Sequence, residues 1–183
     1  MVSSVARGSD AIKRFLRYIA LSLAIFGLDI LTKQLVATHL QGRPPWPEGW
    51  DFLYFHYAEN YHMIFSWTFL DMRIVNAFGL LATGLLAYYL WTYKDKAVIP
   101  SVGMAMIMGG AFGNLGERLF QGYVIDWISF EWPDWLFFTR WPSFNVADAS
   151  INVGIGLYLI YVFFFENRSQ PVKPAAPEST LDS

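Results

Sequence analysis

Val98-Ile99-Pro100-Ser101-Val102-Gly103-Met104-Ala105-Met106-Ile107-Met108-Gly109-Gly110-Ala111-Phe112-Gly113-Asn114-Leu115 runs without a single charge. As a helix rising about 1.5 Å per residue, it nearly matches the roughly 30 Å of hydrocarbon in a bilayer. It is also rich in small residues, which let a neighbouring helix come close. Three more apolar stretches flank it. About Ile74–Trp91 is uncharged, about Ala149–Phe165 carries no charge after Asp148, and about Tyr18–Ala37 is apolar to Leu28 before Asp29, Thr32 and Lys33. The spacing predicts an all-α membrane protein with four transmembrane helices.

Composition agrees. Of 183 residues, 55% are hydrophobic, 19% aromatic and only 15% charged, against about a quarter charged in a soluble domain. This excludes disorder and a coiled coil. The net charge of -2 offers no basic field for phosphate, so no nucleic-acid partner is expected. Without cysteine there is no disulfide framework, thiolate zinc site, iron–sulfur cluster or cysteine nucleophile. Lys13, Arg14 and Arg17 precede the first stretch as in a secretory signal, but Asp29 and Lys33 stand where a small-residue cleavage site would be. An uncleaved span is expected.

Basic residues orient the spans. Arg7, Lys13, Arg14 and Arg17 precede the first, Lys94 and Lys96 link the second and third, and Arg168 and Lys173 follow the fourth. The other links hold only Arg43, Arg73 and Arg140, apart from Lys33 and Arg118 at span ends. The positive-inside rule puts both termini in the cytoplasm and the long links, about Thr38–Arg73 and Gly116–Asn145, outside. The chain divides into a cytoplasmic segment 1–17, a four-span membrane domain 18–165 and a disordered cytoplasmic tail 166–183. Met1–Ser9 also reads as disordered. The outer links hold Trp46, Trp50, Trp67, Trp127, Trp132, Trp135, Phe137, Phe138 and Trp141, which suit an interfacial aromatic belt. Asp51–Tyr57 and Tyr123–Phe130 read as strands, Leu136–Trp141 more weakly, and together they make a small extracytoplasmic β-sheet.

Polar residues collect at the outer ends of the spans, where a charge is costly and points to function. Asp29 and Lys33 share a helix face and can pair, either as an anchor for the helix end or as part of a site. Asn114 and Arg118 are also four apart, on a glycine-rich packing face or in a polar pocket. Asp148 suits the start of the fourth helix, as an N-cap or in favour of its dipole; Asp126 sits in a mostly apolar strand. Two carboxylates brought together in a low-dielectric site divide their protonation states. One can then accept a proton from water while the other donates to a leaving nitrogen. Spacing alone does not bring Asp126 and Asp148 together. Other chemistries fit poorly. His39, His56 and His62 form no HExxH, and His56-Tyr57-Ala58-Glu59 is followed by Asn60 rather than histidine. A serine–lysine pair would have only Lys33 on the outer side, with Ser66 an unsupported partner. GxSxG and P-loop motifs are absent.

In order along the chain, Asp29-x-x-Thr32-Lys33, Asn60 leading to Phe65-Ser66, Gly113-Asn114-x-x-Glu117-Arg118, Gly122-x-Val124-x-Asp126 and Phe144-Asn145-x-Ala147-Asp148 resemble the motifs of the lipoprotein signal peptidase family, signal peptidase II. The resemblance covers about Tyr18–Phe165. It implies a four-helix membrane bundle with an extracytoplasmic β-sheet cradle and a surface amphipathic helix. It implies an aspartyl endopeptidase of the bacterial cytoplasmic (inner) membrane, active at the outer face. The enzyme would remove the signal peptide of prolipoproteins before their diacylglyceryl-modified cysteine. The catalytic dyad then falls on Asp126 and Asp148, the substrate-binding residues on Asn60, Asn114, Arg118 and Asn145, and supporting roles on Asp29 and Lys33. No metal or organic cofactor is expected. Membrane lipid is the surroundings, globomycin-type inhibitors are expected ligands, and a monomer is the expected state. His62 and Ile64 depart from the family pattern by adding bulk near the expected substrate loop, and Glu117 replaces its usual Asp, keeping the charge with a longer reach. They leave room for a specialised or non-catalytic paralogue that binds lipopeptide or inhibitor. A proton-coupled carrier ranks last, for want of an inverted repeat.

Overall fold

The computed structural model of the chain describes residues 2–61, 72–95, 97–131 and 140–166, with the side chains of residues 2–8 and 72 left aside. His62, Ile64, Ser66, Trp67, Lys96, Trp132, Trp135, Phe137, Phe138, Arg168, Lys173 and the tail Ser169–Ser183 lie outside these residues. So does most of the third strand candidate. The elements run α1 (Val2–Leu40), β1 (Leu53–Asn60), α2 (Met72–Tyr93), α3 (Val98–Phe120), β2 (Val124–Phe130) and α4 (Val146–Phe164). All four helices are long and apolar enough to cross a membrane. The fold is therefore the expected one: four candidate membrane helices with a small antiparallel sheet. Among the described residues no other α-helix occurs, so the surface amphipathic helix has no counterpart there.

The helices match the apolar stretches closely except at the start. Residues 2–9, read from sequence as a disordered tail, continue α1. Adding residues to a formed helix avoids the cost of nucleation, and Ala6, Arg7 and Ala11 favour the helix. Farther along α1, Arg14 Nε donates to Asp95 Oδ1 at 2.6 Å and so meets the α2–α3 link. This end of the bundle, the link end, also holds Leu90, Met104 and Met108, packed by Phe15, Tyr18 and Ile19.

The exterior is apolar and much of the interior is polar or small. Leu23, Leu81 and Phe163 are exposed, whereas Ser22, Ser101 and Asn114 are buried. Where lipid is the solvent, helices gain little by hiding leucine; they associate through close packing and interhelical hydrogen bonds. The Gly103–Gly154 pair brings α3 and α4 close together: a Cβ on either glycine would lie 2.6 Å from the carbonyl oxygen of the other. On α1, Ser22 Oγ donates to Ala105 O on α3 at 2.7 Å.

The two strands pair antiparallel at the opposite end, the sheet end, where α1 and α3 finish and α2 and α4 begin. Gly122, with φ +83, makes the turn from α3 into β2 in the left-handed region that glycine enters freely. β1 runs past the expected Tyr57 to Asn60, because Ala58, Glu59 and Asn60 pair with Asp126, Ile125 and Val124. Cross-strand pairing, rather than propensity, sets that boundary. A bulge between Phe55 and Ala58 sets two β1 residues against Trp127 alone and bends the strand beside Asp126. Of the third strand candidate, Arg140 forms an isolated bridge with Glu131, and Trp141 N donates to Phe130 O at 3.1 Å.

Candidate active site

The site grows from the first turn of α4. Asn145 is the N-cap, with extended backbone: its side-chain oxygen accepts from Asp148 N at 2.9 Å. Asp148 Oδ2 in turn accepts from Asn145 N at 3.2 Å. Asp148 is thus not the cap but the third residue of a capping box, where the dipole also favours its charge. The cap's remaining donor reaches out of the helix. Asn145 Nδ2 donates to Asp126 Oδ1 at 2.7 Å and lies 3.2 Å from both Ile125 O and Asn114 Oδ1.

Each carboxylate has a second asparagine. Asn60 Nδ2, at the end of β1, donates to Asp126 Oδ2 at 2.8 Å. Asn114 Nδ2, from α3, donates to Asp148 Oδ1 at 2.7 Å. The sheet end of the fold therefore brings Asn60, Asn114, Asp126, Asn145 and Asp148 into one connected network. Asp126 is 5% exposed and Asn145 fully buried. Burial and the Asp148 carboxylate push the Asp126 carboxyl up to about 6, while its two asparagine donors and the Lys33 charge pull it down.

Beneath the network lies a buried cation. Lys33 Nζ stands 2.7 Å from Asp29 Oδ2, 2.8 Å from Glu117 Oε2 and 2.9 Å from Asn114 Oδ1. Asp29 Oδ1 accepts from Ala147 N at 2.9 Å, tying α1 to the first turn of α4. Both expected supporting residues thus touch the network's surroundings, Lys33 at Asn114 and Asp29 at the start of α4. Arg118 feels the charges of Asp148, Asp126 and Glu117. Its Nε is buried and, among the described residues, has no hydrogen-bond partner.

Sequence reading gave Glu117 no role beyond its departure from the family motif. Glu117 closes the Lys33 cage and accepts from Ile125 N at 3.2 Å, which locks β2 onto α3. Its spacing of three from Asn114 was the available signal. Also missed was the contact between His56 Nε2 and Ser143 Oγ, at 3.2 Å. Burial and the nearby Arg140 charge hold this histidine below its ordinary value.

Two clefts open in this part of the molecule, and one reaches the network. One, of about 510 Å³, opens among α2, α3 and α4 and is lined by Asn76, Phe78, Leu115, Arg118, Asp148 and others. A larger one, of about 830 Å³, lies at the sheet end of α1 under Trp46, Phe55 and Trp127, and none of the network residues lines it. Among the described residues, no three His, Asp or Glu side chains stand close enough together to hold a metal ion.

Four apolar helices around a buried network of carboxylates and asparagines define a multi-pass membrane protein with a polar site at one end of its bundle. The family model of Signal peptidase (SPase) II, Peptidase_A8, matches residues 21–164, and the chain belongs to that family. Family membership makes it a protease, and its relatives are bacterial. It is 30% identical to a lipoprotein signal peptidase of Listeria monocytogenes serovar 1/2a, over 85% of this chain and 99% of that one. To a lipoprotein signal peptidase of Psychromonas ingrahamii it is 32% identical, over 88% of this chain and 92% of that one. Among solved structures, its fold is similar to a bacterial membrane enzyme determined by the in meso method at 2.3 Å, with a TM-score of 0.69, 20% identity, and coverage of 87% and 94% of the two chains. A second such enzyme, at 1.9 Å, gives a TM-score of 0.64 at 22% identity, over 81% and 94%.

Proposed function

We propose that the chain is an aspartyl endopeptidase that removes the signal peptide from prolipoproteins before their diacylglyceryl-modified cysteine. The observation that carries this reading is the tie between Asp126 and Asp148 through Asn145, which donates to one carboxylate from its side chain and to the other from its backbone. Two carboxylates so close in a buried site share one proton. The ionised member accepts a proton from water as the water oxygen attacks the peptide carbonyl. The protonated member gives its proton to the leaving nitrogen as the C–N bond breaks. Asn60, Asn145 and Asn114 hold the carboxylates in place, and Arg118 supplies a donor and a positive charge beside them. Asp29 and Lys33 brace the network without touching substrate. Both termini lie in the cytoplasm, and the site faces the outer leaflet, where a translocated prolipoprotein presents its modified cysteine.

The test is cleavage of a diacylglyceryl-modified prolipoprotein by detergent-purified wild type, Asp126→Asn and Asp148→Asn. Product from wild type alone is the expected result. Undiminished cleavage by both variants would sink the dyad. A wild type that binds the substrate without cutting it would instead favour a non-catalytic lipopeptide binder.

A further inference from the structure

α2 carries Asn76, the third residue after Arg73 on a mostly apolar helix. Asn76 lines the cleft among α2, α3 and α4 together with Asn114, Arg118 and Asp148. Its Oδ1 is buried and, among the described residues, has no hydrogen-bond partner. Thr83, on the same wall, is already engaged, since its hydroxyl donates to Gly79 O at 2.7 Å. Arg118 brings the complementary orphan, a buried Nε–H that no described residue accepts. The cleft therefore holds one unsatisfied acceptor and one unsatisfied donor beside an Asp148 carboxylate, among Ile74, Phe78, Leu115 and Ile151.

An unpaired polar atom in such surroundings is costly. Acyl chains satisfy neither orphan. A lipid ester can only accept, so it would serve Arg118 and leave Asn76 unpaired. A peptide backbone offers both halves, N–H and C=O. It also needs partners here, because a substrate helix must unwind to expose its scissile carbonyl, and unwinding frees amides that hydrocarbon cannot satisfy.

We propose that Asn76 is a substrate-positioning residue whose Oδ1 accepts a backbone N–H of the unwound signal-peptide segment in the α2–α3–α4 cleft, while Arg118 Nε donates to a carbonyl of the same segment. This rests on the peptidase reading above. Asn76 takes no part in proton transfer; it holds the chain so that the scissile carbonyl stands beside the carboxylates.

The experiment uses the full chain in detergent with synthetic diacylglyceryl-modified prolipoprotein peptides. One series is all-amide. In the other, single backbone amides before the cleavage point are replaced in turn by esters, which lack the N–H. Asn76→Leu suits an apolar helix and removes the acceptor; Asn76→Ser is a second variant, too short to reach. With all-amide substrate, both variants should raise KM about tenfold and leave kcat within about twofold, as for one neutral hydrogen bond lost. With wild type, one ester position should reproduce that rise, and Asn76→Leu should be insensitive at the same position. The proposal is overturned if the variants keep the wild-type KM, or if Asn76→Leu responds to every ester as wild type does. If wild type cleaves in an Asp126-dependent way in those cases, the peptidase reading survives. If wild type gives no product at all, both fall.

Discussion

Asn145 donates its side-chain amide to Asp126 Oδ1 at 2.7 Å from the very residue that caps α4. Because the capping box holds Asp148 to the same residue, the two carboxylates form one hydrogen-bonded unit rather than two neighbours. The geometry of the site is thereby fixed by a helix terminus, which is stiff, instead of by a loop.

The unit should titrate as a pair. The raised Asp126 carboxyl keeps its proton below about pH 6 and loses it above. If cleavage needs one shared proton, kcat/KM of wild type falls with rising pH above about 6, approaching tenfold per unit. The same limb in kcat should lie at higher pH, since bound substrate deepens the burial. A kcat/KM that rises through that range would contradict the assignment.

Stability should fall over the same pH range, for the same group. A carboxyl raised in the folded protein to about 6, from about 3.9 when unfolded, is stabilising below the unfolded value; that stability is lost as pH climbs through the folded one. Asn cannot ionise, so Asp126→Asn escapes this loss. Its stability relative to wild type should be about 2 kcal/mol more favourable at pH 8 than at pH 4. Thermal unfolding in detergent at the two pH values measures the difference.

Lys33 is 2% exposed and Asp29 is fully buried, so neither charge can turn to water. Lys33→Met should lower stability by about 3–5 kcal/mol, because it strands the Asp29 and Glu117 carboxylates. Asp29→Asn added to that variant should recover part of the loss. A double variant no more stable than the single one would show that the pair is not coupled.

Glycines in the spans should matter by position. Gly103→Ala drives a methyl group against Gly154 O and should destabilise by about 1–3 kcal/mol. Gly84→Ala on α2 meets nothing within 4 Å and should be neutral or slightly stabilising. Unfolding midpoints of the two variants in one detergent compare them directly.

The spans were legible because hydrocarbon imposes length and apolarity on any helix that crosses it, and Val98–Leu115 meets both terms without help from its neighbours. The expected site residues were legible as oddities: Asp29, Lys33, Asn114 and Asp126 are polar where polarity costs free energy. Helix periodicity even paired Asp29 with Lys33, since four residues make about one turn.

Contacts between elements were not legible. Nothing local says that Lys33 meets Glu117 across α1 and α3, that Asn60 reaches Asp126 from a neighbouring strand, or that Asn76 shares a cleft with Asp148. Nor did spacing show that Asn145, rather than Asp148, caps α4. The sequence by itself determined which segments cross the bilayer and which residues are too polar to be there by chance, because those follow from each residue's own cost in hydrocarbon. Only the tertiary structure decided which of them touch, because helix approach at glycine pairs and strand register are set by the packing of residues far apart in the chain.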